Sequence, residues 1–414
     1  MQKIEKNIQY YKFGLYGFLK NLRFYEAFLI LFFLEKGVDY LKIGVLYSVR
    51  EITIMLFEIP GGLVADALGR KRTLIASFVV YILSFVTFYF SKHYGLLLLG
   101  MILFALADAF RSGIHKAMIF QYLTRRGLKN QKANYYGHTR SWSQTGSAVA
   151  SLSAGIMVFY SGSYRIIFAL SIIPYFLDML LIWSYPDYLD GELSPHTKYK
   201  LRQRFKEIWQ AVMMSFKHIN LLRILTSLSL HTGYYKAVKD YIQPVIVSFA
   251  VSIPLFLSLQ SKQKSALMIG IIYFILYLLT AATSRYSGRF LQRFSHYSRP
   301  MNITLFAGII PGILAGCFYL NHWFLLSILG FVLIMLNENL RKPIGVAYVT
   351  EESDKKAAAS VLSIQTQAQS FFAALLALFI GWGAQIGGPG TGILTGTFVL
   401  LLLFPLARLK NKIR

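Results

Sequence analysis

The sequence predicts an all-α integral membrane protein, about twelve transmembrane helices arranged as two related six-helix bundles with a charged cavity between them. Three observations predict it. Of the 414 residues 55% are hydrophobic and only 15% charged, at a mean hydropathy of +0.49; soluble domains run near 25% charged, so a water-facing surface of this size could not be covered. Apolar windows of the roughly 20 residues that a bilayer core requires recur at regular intervals. Lys and Arg gather in alternate connections between those windows, as cytoplasmic loops do.

The windows fall near 14–34, 43–65, 73–91, 95–121, 140–160 and 165–185, then near 219–249, 265–284, 301–320, 323–349, 358–381 and 390–407. The stretch 250–264 is apolar but holds Pro254 and ends at Lys262 and Lys264. A polar segment with Lys198, Lys200, Arg202, Arg204 and Lys206 separates the two sets. This divides the chain into an N-terminal bundle (1–185), a solvated cytoplasmic linker (186–218) and a C-terminal bundle (219–414). Short echoes tie the sets together. Phe24-Tyr25-Glu26-Ala27 in the first window resembles Tyr234-Tyr235-Lys236-Ala237 in the seventh. Phe110-Arg111 in the fourth resembles Leu340-Arg341 in the tenth, with Ala117 and Ala347 at the same offset. Windows six apart match both times, as a six-plus-six repeat requires.

The net charge is +25. A basic balance can signal nucleic acid, but its placement excludes that here. With the N-terminus inside, 27 of the 43 Lys and Arg fall in inner segments and six in outer ones, at Lys36, Lys42, Lys92, Arg165, Lys262 and Lys264. That asymmetry predicts both termini on the cytoplasmic side of an inner membrane. Met1 to Lys12 is polar and basic, and the apolar stretch after it is interrupted by charges, so the first window reads as a retained span and not a cleaved leader.

Gly62-Leu63-Val64-Ala65-Asp66-Ala67-Leu68-Gly69-Arg70-Lys71-Arg72 stands between the second and third windows. It resembles the signature loop of the major facilitator superfamily, GxLaDrxGrkx, departing from it at Ala67. The glycines allow helix ends to approach closely, and Asp66 can accept hydrogen bonds from a neighbouring helix start. The resemblance implies a twelve-helix transporter fold whose first, fourth, seventh and tenth helices are innermost. It also implies a conformational gate built from Gly62, Asp66, Gly69, Arg70 and Lys71, to which Glu58 is added by its place beside Pro60 near the cytoplasmic end of its span. The second-half counterpart, Ser287 to Arg293, keeps basic residues but no acid. Glu58-Ile59-Pro60-Gly61, taken with Phe110-Arg111-Ser112-Gly113-Ile114-His115-Lys116, looks like a bacterial branch of uncharacterised permeases. The fifth window lacks the Gly-Pro pair of drug–proton antiporters.

The windows contain ten basic and seven acidic residues. They are Lys20, Arg23 and Glu26; Arg50, Glu51 and Glu58; Asp108, Arg111 and Lys116; Asp178; Arg223, Lys236, Lys239 and Asp240; and Glu338, Arg341 and Lys342, with His115 and His231 beside them. At about 2.5–3.5 kcal/mol each for a lipid-facing helix centre, seventeen charges would cost about 50 kcal/mol. Most must therefore face a polar interior or one another. At about 100° per residue, Asp108, Arg111, Ser112 and His115 form one stripe; His231, Tyr235, Lys239 and Gln243 form another, and Asn337, Arg341 and Gly345 a third. Arg23 with Glu26, and Glu338 with Arg341 or Lys342, are local pairs at helical spacing. The net positive balance, with Arg111 and Arg341 at matching positions, favours an anionic group on the substrate, since the planar guanidinium suits carboxylate or phosphate.

These patterns mark Arg23, Glu26, Arg111, His115, Lys116, His231, Lys236, Arg341 and Lys342 as substrate-binding candidates. Glu26, Glu51 and Asp108 are the candidates for proton coupling. The chain has no HExxH, GxSxG or P-loop motif, and its one cysteine, Cys317, can form no internal disulfide. No cofactor, metal site or enzymatic activity is expected. The sequence therefore predicts a monomeric, proton-coupled secondary transporter of a small organic anion or zwitterion, embedded in membrane lipid. The alternatives are a proton-driven exporter of amphipathic or cationic compounds, using Glu26 and Asp108, and a lipid flippase.

Overall fold

The computed structural model describes residues 6–128, 132–190, 206, 219–254, 259–353 and 358–410. Its first predicted span is not one helix. Helix α1 (Ile8–Lys20) starts at Asn7, whose side chain accepts from the Tyr10 N–H at 3.1 Å. It stops at Asn21, whose amide donates back to the Gly17 carbonyl at 2.7 Å. That bond competes with the helical ladder, and the charged turn through Arg23 and Glu26 follows before α2 (Leu29–Glu35) resumes.

Helices α3 (Tyr40–Leu68), α4 (Arg70–Phe90), α5 (Tyr94–Arg111), α6 (Ile114–Arg125), α7 (Lys132–Ser161) and α8 (Ile166–Trp183) come next, and a 3-10 turn, Asp187–Asp190, closes this part. Beyond the linker run α9 (Ile219–Val238), a 3-10 turn at Lys239–Tyr241, α10 (Ile242–Ser252), α11 (Ser261–Leu291), α12 (Ser298–Leu320) and α13 (Phe324–Glu352). Helix α14 (Ala358–Leu402) and the short α15 (Phe404–Ala407) end it. Among the described residues there is no strand. Most of the predicted linker, 191–205 and 207–218, lies outside the described residues.

Seven of the described helical stretches are long and apolar enough to cross a membrane. One of them, Ser360–Leu402, takes in two predicted windows. Its 43 residues would reach about 65 Å as one straight helix, far beyond a bilayer core of about 30 Å, and non-helical Gly387 and Gly388 bend it. Four predicted windows are not among the seven, for visible reasons. The first is broken at Asn21–Phe28 and the seventh at its 3-10 turn. Helix α3 carries Arg50, Glu51 and Glu58, and the first half of α7 is polar.

The chain groups into two compact units, each discontinuous in sequence. One comprises Met1–Phe28, Thr53–Arg202 and Ala266–Tyr277, and the other Leu29–Ile52, Gln203–Ser265 and Leu278–Arg414. Aromatic packing fills the first: Tyr175 meets the Tyr81 ring at 5.1 Å and the Phe85 ring at 4.9 Å. An apolar cluster from Ile224, Leu228, Met301, Ile344, Val349 and Val361 sits within the second.

In the first unit α1 and α7 touch through glycine. A Cβ on Gly146 would lie 2.5 Å from the Phe18 carbonyl oxygen, whereas one on Gly137 would meet nothing within 4 Å. Gly146→Ala should therefore lower the melting temperature in detergent by the equivalent of about 1–3 kcal/mol. Gly137→Ala adds the same atom to the same helix and should be neutral or stabilising. Equal melting curves for the two would refute the close approach.

Candidate substrate cavity

Within the first unit, α1, the α5–α6 junction and α7 enclose a cavity of about 310 Å³. Its wall includes Tyr16, Lys20 and Asn21; Arg111, Gly113, His115 and Lys116; and Thr139, Arg140 and Ser143. Four of the lining residues are Lys or Arg, and none is acidic.

The junction is built by Gly113, whose φ of +74° interrupts the helix. Only glycine adopts that region without penalty. The Ser112 hydroxyl donates to Glu58 Oε1 at 2.7 Å, fixing the break to α3. The interruption corrects the single stripe predicted through Asp108, Arg111, Ser112 and His115. It also places the first turn of α6, with its uncommitted N–H groups and positive dipole end, in the cavity wall.

Arg111 is held from behind. Its Nη2 donates to Asp108 Oδ1 at 2.8 Å and its Nε to the Tyr81 hydroxyl at 3.1 Å, while Tyr81 itself donates to Asp108. His115 stacks on Tyr16 with ring centroids 3.6 Å apart, and its Nε2 lies 3.1 Å from the Tyr185 hydroxyl. Lys116 and Arg140 are exposed side chains of the wall. Lys20, only 9% exposed, has no hydrogen-bond or ion-pair partner among the described residues.

Arg111, His115 and Lys116 thus share one cavity. Arg23 and Glu26 pair with each other at 3.6 Å next to Asn21, Ser147 and Ser151. The remaining candidates belong to the second unit. Glu51 accepts from Lys236 at 2.8 Å and from Arg50 at 3.1 Å. Tyr47 donates to Asp240 at 2.9 Å, and Lys239 pairs with the same carboxylate at 3.2 Å. His231 Nδ1 and Thr232 Oγ1 each lie 2.8 Å from Glu338, and Asn337 Nδ2 lies 2.9 Å from His231 Nε2. Glu338 therefore joins α13 to α9, in place of the predicted local pair with Arg341. Arg341 is 0% exposed and donates to the Met301 carbonyl, Thr304 Oγ1, and the carbonyl and hydroxyl of Ser227.

The signature loop is anchored by a residue outside the predicted gate. Asp190 Oδ1 accepts from the Lys71 N–H at 2.6 Å, capping α4, whose preceding residue Gly69 (φ +100°) offers no side chain. Lys71 Nζ reaches Asp187 at 3.0 Å and the Tyr185 carbonyl at 2.9 Å. Asp66, expected in the capping role, instead faces Arg70 at 3.9 Å, and Gly62 has open space around it.

Lys20, Arg140 and Asp178 also lie outside the predicted set of site residues. The signal for Lys20 and Asp178 is present in the sequence: neither has an opposite charge within one helical turn, whereas Arg23 and Arg111 do. Asp178 is 0% exposed, and both its carboxyl oxygens lack a donor. Among the described residues no three His, Cys, Asp or Glu side chains are placed to hold a metal ion.

The family model of the Major Facilitator Superfamily matches residues 21–377. An uncharacterized MFS-type transporter of Bacillus subtilis (strain 168), YxaM, is 38% identical over 84 residues, a stretch covering 20% of this chain and 21% of that relative. Among solved structures, a mutant form of the nucleoside transporter NupG superposes with a TM-score of 0.77 at 15% identity, covering 96% of this chain and 98% of that one. A POT family transporter in complex with 5-aminolevulinic acid gives 0.70 at 13% identity, covering 96% of each chain. A D-xylose–proton symporter gives 0.68 at 14%, covering 96% of this chain and 97% of that one. At such identities the likeness is one of fold.

These contacts rank three substitutions by their effect on stability. Asp190→Ala should cost about 0.5–2 kcal/mol, as loss of a helix cap does, while Asp66→Ala, removing a long contact from a side chain 56% exposed, should change the melting temperature little. Arg341→Met should be far more damaging, at about 1–3 kcal/mol for each buried acceptor left without a donor. An Arg341→Met protein melting like wild type would contradict the four bonds made by its Nη1 and Nη2.

Proposed function

The chain belongs to the major facilitator superfamily and is a multi-pass membrane transporter rather than an enzyme; we propose that its cargo is a small organic anion or zwitterion. One observation carries this reading. The cavity of the first unit gathers Lys20, Arg111, Lys116 and Arg140 with His115 and the start of α6, and no carboxylate shares its wall. Arg111 is oriented by Asp108 and Tyr81, so the fork that suits carboxylate or phosphate is held in place before a ligand arrives.

In this reading the chain has twelve spans in two six-helix bundles, 1–185 and 219–414, and works by alternating access. The charge asymmetry of the loops supports cytoplasmic termini in an inner membrane, and the chain acts as a monomer. A proton gradient supplies the bias: each charge moved across 100 mV is worth about 2.3 kcal/mol. The structural likeness to a proton symporter supports that coupling. Export of lipophilic cations is disfavoured because Glu26 and Asp108, the acids it would use, are already occupied by Arg23 and Arg111.

Thermal shifts of the purified protein against anionic, zwitterionic and cationic solutes test the reading. Anions should stabilise the wild type, Arg111→Ala should abolish that response, and Arg140→Gln, altering an exposed side chain, should weaken it without affecting the unliganded melt. Stabilisation by lipophilic cations alone, undiminished in Arg111→Ala, would overturn the anion reading.

A further inference from the structure

Sorting the buried charges of the first unit leaves two without partners among the described residues. Arg23 has Glu26, and Arg111 has Asp108 and Tyr81. Lys20, in the cavity wall at the end of α1, has no acceptor among the described residues. Asp178, in α8, has no donor to either oxygen and no exposure. Helix α8 is strongly apolar by composition, and Asp178 is its only charged residue. Helices α1 and α8 pack side by side, tied near one end where Lys12 Nζ donates to the Ser184 carbonyl at 2.9 Å and just past the other by the Tyr25 and Tyr175 hydroxyls 3.0 Å apart, so Asp178 stands level with the last turns of α1, where Lys20 lines the cavity. The carboxyl therefore belongs to the surroundings of the cavity without being part of its wall.

A carboxylate ion with no donor and an ammonium with no acceptor are both disfavoured in a protein interior. Each could be the other's counter-ion. Lys20 can instead serve a bound anion, and Asp178 is then relieved of its charge by taking a proton. We propose that Lys20 and Asp178 form a proton–anion linkage, in which the binding of one anion at Lys20 is accompanied by the binding of one proton at an Asp178 carboxyl oxygen. The proton comes from water in the open cavity. When the anion leaves, the proton returns to water and Lys20 turns to the Asp178 carboxylate. Anion and proton therefore enter and depart together, and the net charge of the occupied site does not change for a monoanion.

The surrounding groups leave this pair as the one free to switch. They are Tyr16 on α1, Arg23 and Glu26 in the turn after it, Tyr81 on α4, Asp108 and Arg111 on α5, His115 on α6, Arg140 on α7, Tyr175 on α8 and Tyr185 after it; Arg23 and Glu26 pair with each other at 3.6 Å, and Tyr175 is engaged by Tyr25. Asp108 is engaged by Arg111 and Tyr81, and His115 by Tyr185 and the Tyr16 ring. The linkage rests on the anion reading of the cavity but assigns coupling to a residue outside the predicted set of Glu26, Glu51 and Asp108.

The test measures binding of sulfate and methanesulfonate, whose charges are constant between pH 5.5 and 8.5, to the detergent-solubilised full chain by concentration-dependent thermal shift. For a linked proton, affinity should rise up to tenfold per unit fall in pH through the titration of the site. The addition of methanesulfonate to weakly buffered wild-type protein should draw about one proton from solution, a readout that needs no variant. Asp178→Asn should bind at the wild type's low-pH affinity across the whole range, and Lys20→Gln should lose binding at least tenfold. His115→Gln should keep the pH slope. If neither anion binds at any pH, the anion reading fails and the linkage falls with it. If they bind with one affinity at every pH, or if the slope survives in Asp178→Asn, the cavity remains an anion site and the linkage is refuted.

Discussion

Charge in an apolar helical bundle must be neutralised locally, and this constraint organises the structure. Lipid offers no solvation for an ion, so each charged side chain in a span needs a partner or a cavity. Most have partners with good geometry. Glu51 collects Lys236 and Arg50, Asp240 collects Tyr47 and Lys239, and Glu338 collects His231 and Thr232. Once these pairs are set aside, Lys20, Arg111, Lys116 and Arg140 gather in one wall in the first unit that holds no acid of its own, Asp108 gripping Arg111 from behind. Electrostatics thus separates a scaffold from a site without any appeal to function.

The wall exists because helices are broken or brought unusually close. Asn21 ends α1 by bonding back to Gly17, and the termination leaves Lys20 on the last turn. Gly113, at φ +74°, separates α5 from α6, and Arg111 and His115 reach the same space from either side of the break. Gly146 permits α7 to lie against the Phe18 carbonyl, which carries Thr139, Arg140 and Ser143 into the wall. A backbone interruption in a membrane is tolerable where it borders a polar cavity and not lipid. The breaks and the charges therefore explain each other.

Much of this was legible in the sequence. Hydropathy and loop charge identified a multi-pass membrane protein, and the run from Gly62 to Arg72 identified the superfamily. Arg111, His115 and Lys116 were legible as a group because their spacing survives a change of helix direction. What escaped was of two kinds. Periodicity assumes an unbroken helix, so the interruptions at Asn21, Gly113 and Lys239 were invisible to it. Pairing by i+3 and i+4 spacing sees only local partners; it therefore matched Glu338 to Arg341, when the actual partners sit more than a hundred residues away on α9. Asp190 was missed for the same reason, since nothing local connects it to the helix it caps.

Arg111 and Arg341 show how far an internal repeat can be trusted. They occupy matching places in the two halves of the sequence, and symmetry alone would assign them one role. The surroundings assign two. On α13 the helix runs through Arg341 without interruption, and the guanidinium is absorbed by Thr304, Ser227 and the Met301 carbonyl at zero exposure. On α5 the helix stops at Arg111, a single carboxylate and a tyrosine hold one side of the side chain, and the other side borders the cavity. Four bonds to neutral acceptors at zero exposure make Arg341 structural, although its Nε has no acceptor; partial satisfaction beside a cavity leaves Arg111 able to bind. The difference between them is set by a glycine two positions on in one half and a helix-continuing proline in the other, at Gly113 and Pro343. A repeat conserves position, but the backbone a few atoms away decides what a charge at that position can do.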